Sequence, residues 1–239
     1  MEKLLGQELG RGGFGIVYAN KRDKSTCIKI SHKKESCRSW SNEHKKIKRF
    51  MKTITKHRAY RSLRMVKVVD PTKFIETNDE CYMVLPRIYR PEGTSHPGKT
   101  IQAYLDEPSA NYVYPGRGEF IGLKQIRQYI PEKDLKRACF ELGLLLGLIH
   151  FVGKNDAYDL EVYIGKEHGK KKSRFYISDF DQSENINDFD SNTIERMQWS
   201  ITALPYFPTD HSSELYQLFR QGYSMNVPQQ IVDNVFSGI

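Results

Sequence analysis

The feature that most constrains this 239-residue chain is a run of glycines between two strand-like stretches near its start. Gly10-Arg-Gly12-Gly13-Phe-Gly15-Ile-Val17 follows the spacing G-x-G-x-x-G-x-V. Glycine carries no Cβ, so backbone N–H groups in such a run can come close to phosphate oxygens. The same string opens dinucleotide-binding units, but there it leads from a strand into a helix. Here residues 16–19 continue as alternating, β-branched positions. A strand–glycine–strand hairpin is therefore the expected geometry.

The rest of the chain builds outward from that hairpin. Strands are expected over residues 4–9, 16–19 and 26–30, followed by a helix over 39–56. In that helix Trp40, Ile47, Phe50, Met51 and Ile54 recur at helical spacing. Strands over 64–69 and 81–85 complete an expected five-stranded antiparallel sheet with one helix. Proline and glycine cluster over 86–98, which reads as a connector. Residues 99–130 offer only a short strand and turn around Tyr112-Val-Tyr114-Pro-Gly116. Pro131 suits the start of the clearest helix. Its apolar face is Leu135, Ala138, Cys139, Leu142, Leu145, Leu146, Ile149 and Val152, with Gly153 as its end. Short strands over 160–164 and 175–178 flank a polar loop. Helices follow over 190–203, over 212–221 and, more weakly, after Pro228. The expected class is α+β, with residues 1–91 and 92–239 forming two parts of one bilobed unit.

Composition narrows the setting. A chain that is 38% hydrophobic can bury a sizeable core, and no apolar run approaches the length of a membrane-spanning helix. Met1-Glu-Lys-Leu-Leu lacks the basic-then-apolar layout of a secretory signal. Cys27, Cys37, Cys81 and Cys139 lie far apart without a Cys-x-x-Cys. That spacing predicts neither a zinc site nor a disulfide framework, and so a reducing, intracellular setting in cytoplasm or nucleus. Part of the net charge of +8 lies in a stripe from Lys45 to Lys67. It could draw nucleic acid, anionic membrane or an acidic protein, but a solvated helix face is the reading favoured, with nucleic-acid binding weak or absent.

Glu43 falls on the buried stripe of the expected helix, four residues before Ile47 and seven before Phe50. A carboxylate there wants a cation, and Lys29, in Thr26-Cys-Ile-Lys-Ile30, is the candidate. Further on, Phe175-Tyr-Ile-Ser-Asp179-Phe180-Asp181 is an apolar strand ending in acids. Before it runs Asn155-Asp156-Ala-Tyr-Asp159-Leu-Glu161, where Glu161 stands five positions after Asp156.

Taken in order, these residues resemble the protein kinase superfamily over most of the chain. The nearest likeness is to an uncharacterised fungal kinase-like family, often described as zinc-finger proteins. It rests on Gly13-Phe-Gly-Ile-Val17, Leu85-Pro-Arg-Ile88, Tyr112-Val-Tyr-Pro-Gly116, Asp156-Ala-Tyr-Asp-Leu-Glu161 and Ile177-Ser-Asp-Phe-Asp181. The resemblance implies a two-lobed fold binding ATP and Mg²⁺. Gly10, Gly12, Gly13, Gly15 and Val17 would cover the phosphates, Lys29 would neutralise them, and Glu43 would orient Lys29. Asp179, in the place of the aspartate of Asp-Phe-Gly, and Glu161, where kinases carry asparagine, would hold Mg²⁺. Asp156 would accept the substrate hydroxyl's proton. The departures are equally concrete. Lys154-Asn155 replace His-Arg, no Ala-Pro-Glu follows Asp179, and the stretch after Asp179 is too short for a full peptide-binding lobe. Two readings stay open: an atypical ATP-dependent phosphotransferase, or a pseudokinase-like module that binds a protein partner, a role compatible with a fungal selfish element.

Overall fold

The computed structural model describes residues 2–12, 15–31, 33–91, 101–106, 119–203 and 205–239; Gly13 and the 112–116 turn lie outside them. The chain begins with β1 (Leu5–Gly12), β2 (Gly15–Asn20) and β3 (Thr26–Ser31). Helices α1 (Lys34–Ile54) and α2 (Arg58–Ser62) and strands β4 (Val66–Val68), β5 (Lys73–Glu76) and β6 (Cys81–Pro86) follow. Then come β7 (Ile101–Ala103), β8 (Glu119–Ile121), α3 (Leu123–Tyr129) and α4 (Glu132–Gly147). A π-helical turn (Leu148–Val152) leads to β9 (Glu161–Gly165), β10 (Arg174–Ser178), α5 (Ser191–Thr202), α6 (Glu214–Ser224) and α7 (Gln229–Phe236). This is an α+β fold with a five-stranded antiparallel sheet, ordered β1-β2-β3-β6-β5.

Both faces of that sheet carry apolar clusters, and α1 covers one of them. Val17, Lys29, Met83 and Phe74 stand opposite one another across β2, β3, β6 and β5. Directly paired residues share a face, and on this face Cys37 and Trp40 of α1 pack with Cys81, Met83, Phe74 and Leu85. The other face buries Ile28, Ile30 and Tyr82 with Tyr18, Leu5 and Ile75. The apolar residues of α1 recur every three or four positions. Its first turns serve the sheet, while Ile47, Phe50, Met51 and Ile54 enter the main core with α4, β9 and β10.

The structure departs from the sequence reading in three places. Residues 64–69 do not join the first sheet. β4 pairs in parallel with β10 in a second, mixed sheet ordered β4-β10-β9-β7-β8. Met65, Val66 and Val68 are buried against the main core there, and β5 takes the sheet edge instead. The described part of the second half stays mainly helical, but β7 and β8 also widen the β9–β10 hairpin into a sheet that the sequence reading did not foresee. Finally, Cys37 and Cys81 are joined by a disulfide, Cα atoms 5.6 Å apart, contrary to the expectation of none. A separation of 44 residues hides that pairing in the sequence, since only the packing of α1 on β6 brings the two thiols together.

Close approach explains several glycines of the second half. A Cβ on Gly143 would lie 1.9 Å from the Phe219 carbonyl oxygen, and one on Gly222 2.0 Å from that of Phe140. These two residues let α4 and α6 touch backbone to backbone. Gly153 closes the π-helical turn where a Cβ would press on Phe50 of α1 at 3.0 Å. Among the described residues no helix is long and apolar enough to cross a membrane.

The disulfide closes a loop long enough to restrict the unfolded chain substantially. Replacing Cys37 and Cys81 together by serine should lower the unfolding free energy by roughly 2–4 kcal/mol. Urea unfolding with and without dithiothreitol checks it: reductant should bring the parent down to the variant's level and leave the variant unmoved. A parent indifferent to reductant would refute the bond.

Candidate functional site

The glycine hairpin forms as the motif requires. β1 and β2 pair through Gly10↔Val17 and Gly12↔Gly15, and Val17 lies opposite Lys29 on β3. At Gly15 glycine is demanded by packing, because a Cβ would meet the Ile30 carbonyl oxygen at 2.4 Å and the Trp40 ring at 2.6 Å. A Cβ on Gly10 would meet nothing within 4 Å.

Beneath the hairpin lies a cluster of charge. The Lys29 ammonium sits 4.6 Å from the centre of the Trp40 ring, a cation–π contact. One helical turn on, Glu43 is buried, and its Oε2 has no hydrogen-bond partner. No ion pair closes between the two, yet the charges act on each other: burial pushes the Glu43 carboxyl up and Lys29 pulls it back. Asp179 leaves β10 with φ at +65°, a left-handed conformation uncommon for aspartate. Burial pushes its carboxyl to about 8; Lys29 opposes the shift, while Glu161, Glu43 and Asp181 add to it. Glu161 opens β9 opposite Ser178. Burial raises its carboxyl too, against hydrogen bonds from Tyr163 and Gln102. Lys29, Glu43, Glu161 and Asp179, from four separate elements, thus share one electrostatic neighbourhood.

Asp156 stands apart from that cluster. It is buried, and its Oδ1 accepts from the backbone N–H groups of Tyr158 at 3.1 Å and Glu184 at 2.8 Å. Its Oδ2 receives the Arg196 Nε–H at 2.5 Å. A carboxylate so committed is poorly placed to take a substrate proton. Asp156 instead ties its loop to the segment after Asp181 and to α5. The same seam is closed by Asn155 Nδ2 on Ser183 Oγ at 3.1 Å and by backbone bonds between residues 154–156 and 184–186. His150 joins the support: its Nδ1 meets the Tyr223 hydroxyl at 2.8 Å, and complete burial pushes it down to about 3.

Sequence reasoning passed over three residues that matter here. Asp159 is half-buried with φ at +60°, and its charge is felt by Glu161. Lys46, three positions after Glu43, donates to the Asp181 carbonyl at 2.9 Å and to that of Ser183. Arg196 has no local signal, because its partner lies forty residues earlier. Lys46 was readable in principle, since i and i+3 share a helix face.

Lys46 also thins the basic stripe, as do Lys48, paired with Asp70 at 2.8 Å, and Lys67, paired with Glu167. Lys45, Arg49 and Lys52 remain exposed on the outer face of α1, and Lys56 is exposed in the turn after it. A solvated helix face accounts for them.

The donor set suits a hard divalent cation. Asp179 and Glu161 offer carboxylate oxygens, and Mg²⁺ needs only one or two because it keeps several waters. The buried, unpartnered Glu43 oxygen adds negative potential beside them. No group of three or more metal-ligating side chains stands together among the described residues. Comparison with protein-family models and with curated proteins finds no match.

Two measurements probe this arrangement. Arg196→Ala strips a buried carboxylate of its cation and should cost about 3 kcal/mol of stability. Glu184→Ala, at the exposed end of the same network, should stay within about 0.5 kcal/mol. Equal losses in urea unfolding would contradict a buried clamp. Asp179 gives the second test. Its carboxyl binds a proton more tightly folded than unfolded, so its contribution to stability falls as pH rises from about 4 to about 8. Without divalent cations, Asp179→Asn should melt higher than the parent at pH 8, and the gap should close towards pH 4. A gap independent of pH would refute the crowding of charge.

Proposed function

We propose that this chain is an atypical protein-kinase-like module that binds ATP with Mg²⁺. The observation that carries the reading is the convergence of Lys29 from β3, Glu43 from α1, Glu161 from β9 and Asp179 after β10 on one cluster below a glycine hairpin. In this reading the first sheet and α1 make a small lobe, and the second sheet with α3–α7 makes a large one. The hairpin backbone covers the nucleotide's phosphates and Lys29 draws their charge. Asp179 and Glu161 hold Mg²⁺, which when bound would offset charge between the phosphates. The left-handed backbone at Asp179 supports this role, because strain of that kind gathers where a side chain must be aimed.

Transfer to a substrate hydroxyl needs a proton acceptor. With Asp156 bound to Arg196, the acceptor in this reading is Asp159, half-buried and acting electrostatically on Glu161. The second reading, an inert module binding a protein partner, draws support from Asp156 being locked and from Lys29 resting on Trp40 instead of Glu43.

A thermal-shift titration with ATP and Mg²⁺ separates the readings. At a hundred times the dissociation constant, binding adds about 2.7 kcal/mol of stability. Lys29→Ala and Asp179→Ala should each abolish most of that shift, while Lys171→Ala, on an exposed loop, should keep it. In an active enzyme Asp159→Asn should cut phosphotransfer by roughly 10²–10⁴ and leave the shift intact. No shift at millimolar Mg²⁺-ATP removes the nucleotide reading. A shift without any phosphotransfer leaves the inert module.

A further inference from the structure

Glutamate is an awkward side chain for the position that Glu161 occupies. It has one more rotatable bond than aspartate or asparagine, and it brings a full charge into a cleft that already holds Asp179, Asp159 and Glu43. A ligand that must present one oxygen to a cation works only if that freedom is removed.

The second sheet removes it from two strands. Tyr163 lies two residues beyond Glu161 on β9, hence on the same face, and its hydroxyl donates to Glu161 Oε2. Gln102 of β7 stands directly across from Tyr163 on the same face, and its buried side chain favours the ionised forms of both Glu161 and Tyr163. Sheet register thus gathers the three side chains on one face of β7 and β9. An ionised carboxylate offers about four acceptor positions. The Tyr163 hydroxyl occupies one of them, which restrains the group and leaves acceptor capacity for a cation. Neither Tyr163 nor Gln102 is needed to fill the sheet's apolar core, whose β9 members are Val162 and Ile164 on the opposite face.

We propose that Tyr163 and Gln102 are positioning residues that hold Glu161 as a divalent-cation ligand, and that this pair is what allows a glutamate to serve there. The inference rests on the Mg²⁺-nucleotide reading and assigns it a support built from the hydroxyl of β9 and the amide of β7.

A double-mutant cycle tests it. The readout is the Mg²⁺ concentration that gives half of the ATP-induced thermal shift, measured for the parent, Tyr163→Phe, Glu161→Gln and the combined variant. Losing one supporting hydrogen bond should raise that concentration about tenfold in the parent background. In the Glu161→Gln background, Tyr163→Phe should change nothing further, because the group it positions no longer carries the charge. Equal effects in both backgrounds, or none in the parent, would overturn the proposal, since a general packing role is blind to residue 161. Gln102→Leu makes the same test from the neighbouring strand should Tyr163→Phe fail to fold. Mn²⁺ alone, followed by loss of its free electron-spin-resonance signal, separates the two layers of argument. Mn²⁺ binding that Tyr163→Phe weakens, with no effect of ATP, sustains the positioning pair and removes the nucleotide. Absence of both Mn²⁺ binding and an ATP shift removes both.

Discussion

Lys46 gives its ammonium protons to the main-chain carbonyls of Asp181 and Ser183, and the candidate site depends on where that pins helix α1. A charged donor on carbonyl acceptors is worth more than a neutral pair, and this one is partly shielded from water. Phe50 extends the anchor one turn further, with its ring 4.9 Å from that of Phe180. At the other end of α1 the Cys37–Cys81 bond and Trp40 fasten the helix to β6. One helix is thus tied covalently to the sheet that carries Lys29 and by hydrogen bonds to the segment that carries Asp179. Glu43 sits midway between the two anchors, so its place relative to both residues follows from them.

The lower side of the cleft is built under strain. Lys154, Ala157, Asp159 and Asp179 all take positive φ, and all lie in the two loops that meet beneath the hairpin. Each such residue costs about 1–2 kcal/mol. Surrounding bonds offset the cost. Asp156 collects two backbone N–H groups and Arg196, while Asn155 accepts from the Ala157 N–H at 3.0 Å. Tyr158, between two of the strained residues, lies on Trp199 with ring centres 4.5 Å apart and under the Arg196 guanidinium at 4.3 Å. These contacts fix the loop with Asp156 turned to α5, while the charge of Asp159 acts on Glu161. Two aspartates three residues apart thus have different surroundings, one bound to Arg196 and the other felt by Glu161.

That division shows where sequence reading reaches its limit. Periodic features were legible: the hairpin, the Lys29 strand, α1, α4 and the β9–β10 pair all carry a repeat of two or of three to four over enough residues to be read. The site residues on them could be named for the same reason, since Glu43 inherits its inward direction from Ile47 and Phe50. Partnership was not legible. Val66–Val68 is a strand in either sheet, and three residues say nothing about which neighbour they pair with. Lys73–Glu76 is too short to show alternation. Asp156 and Glu161 have the right spacing for one catalytic loop, but spacing cannot report that Arg196 folds back onto Asp156. The disulfide is a fact of the same kind, created by tertiary packing between a helix and a strand.

The glycine motif itself divides when examined residue by residue. Gly15 is fixed by what lies under it: the Trp40 ring and the Ile30 carbonyl leave no room for a Cβ, so this glycine is explained by packing without any ligand. Gly10 has open space where its Cβ would be, and packing does not account for it. The indole that demands Gly15 is also the surface on which the Lys29 ammonium rests. A cation–π contact is worth about 0.5–2 kcal/mol, less than the charge-assisted bonds a phosphate or carboxylate could offer the same ammonium. Lys29 is therefore held lightly, within the electrostatic reach of Glu43, Glu161 and Asp179 and committed to none of them. Trp40 accordingly does two things at once: it supports the hairpin from below and keeps the cluster's cation poised between its acidic neighbours.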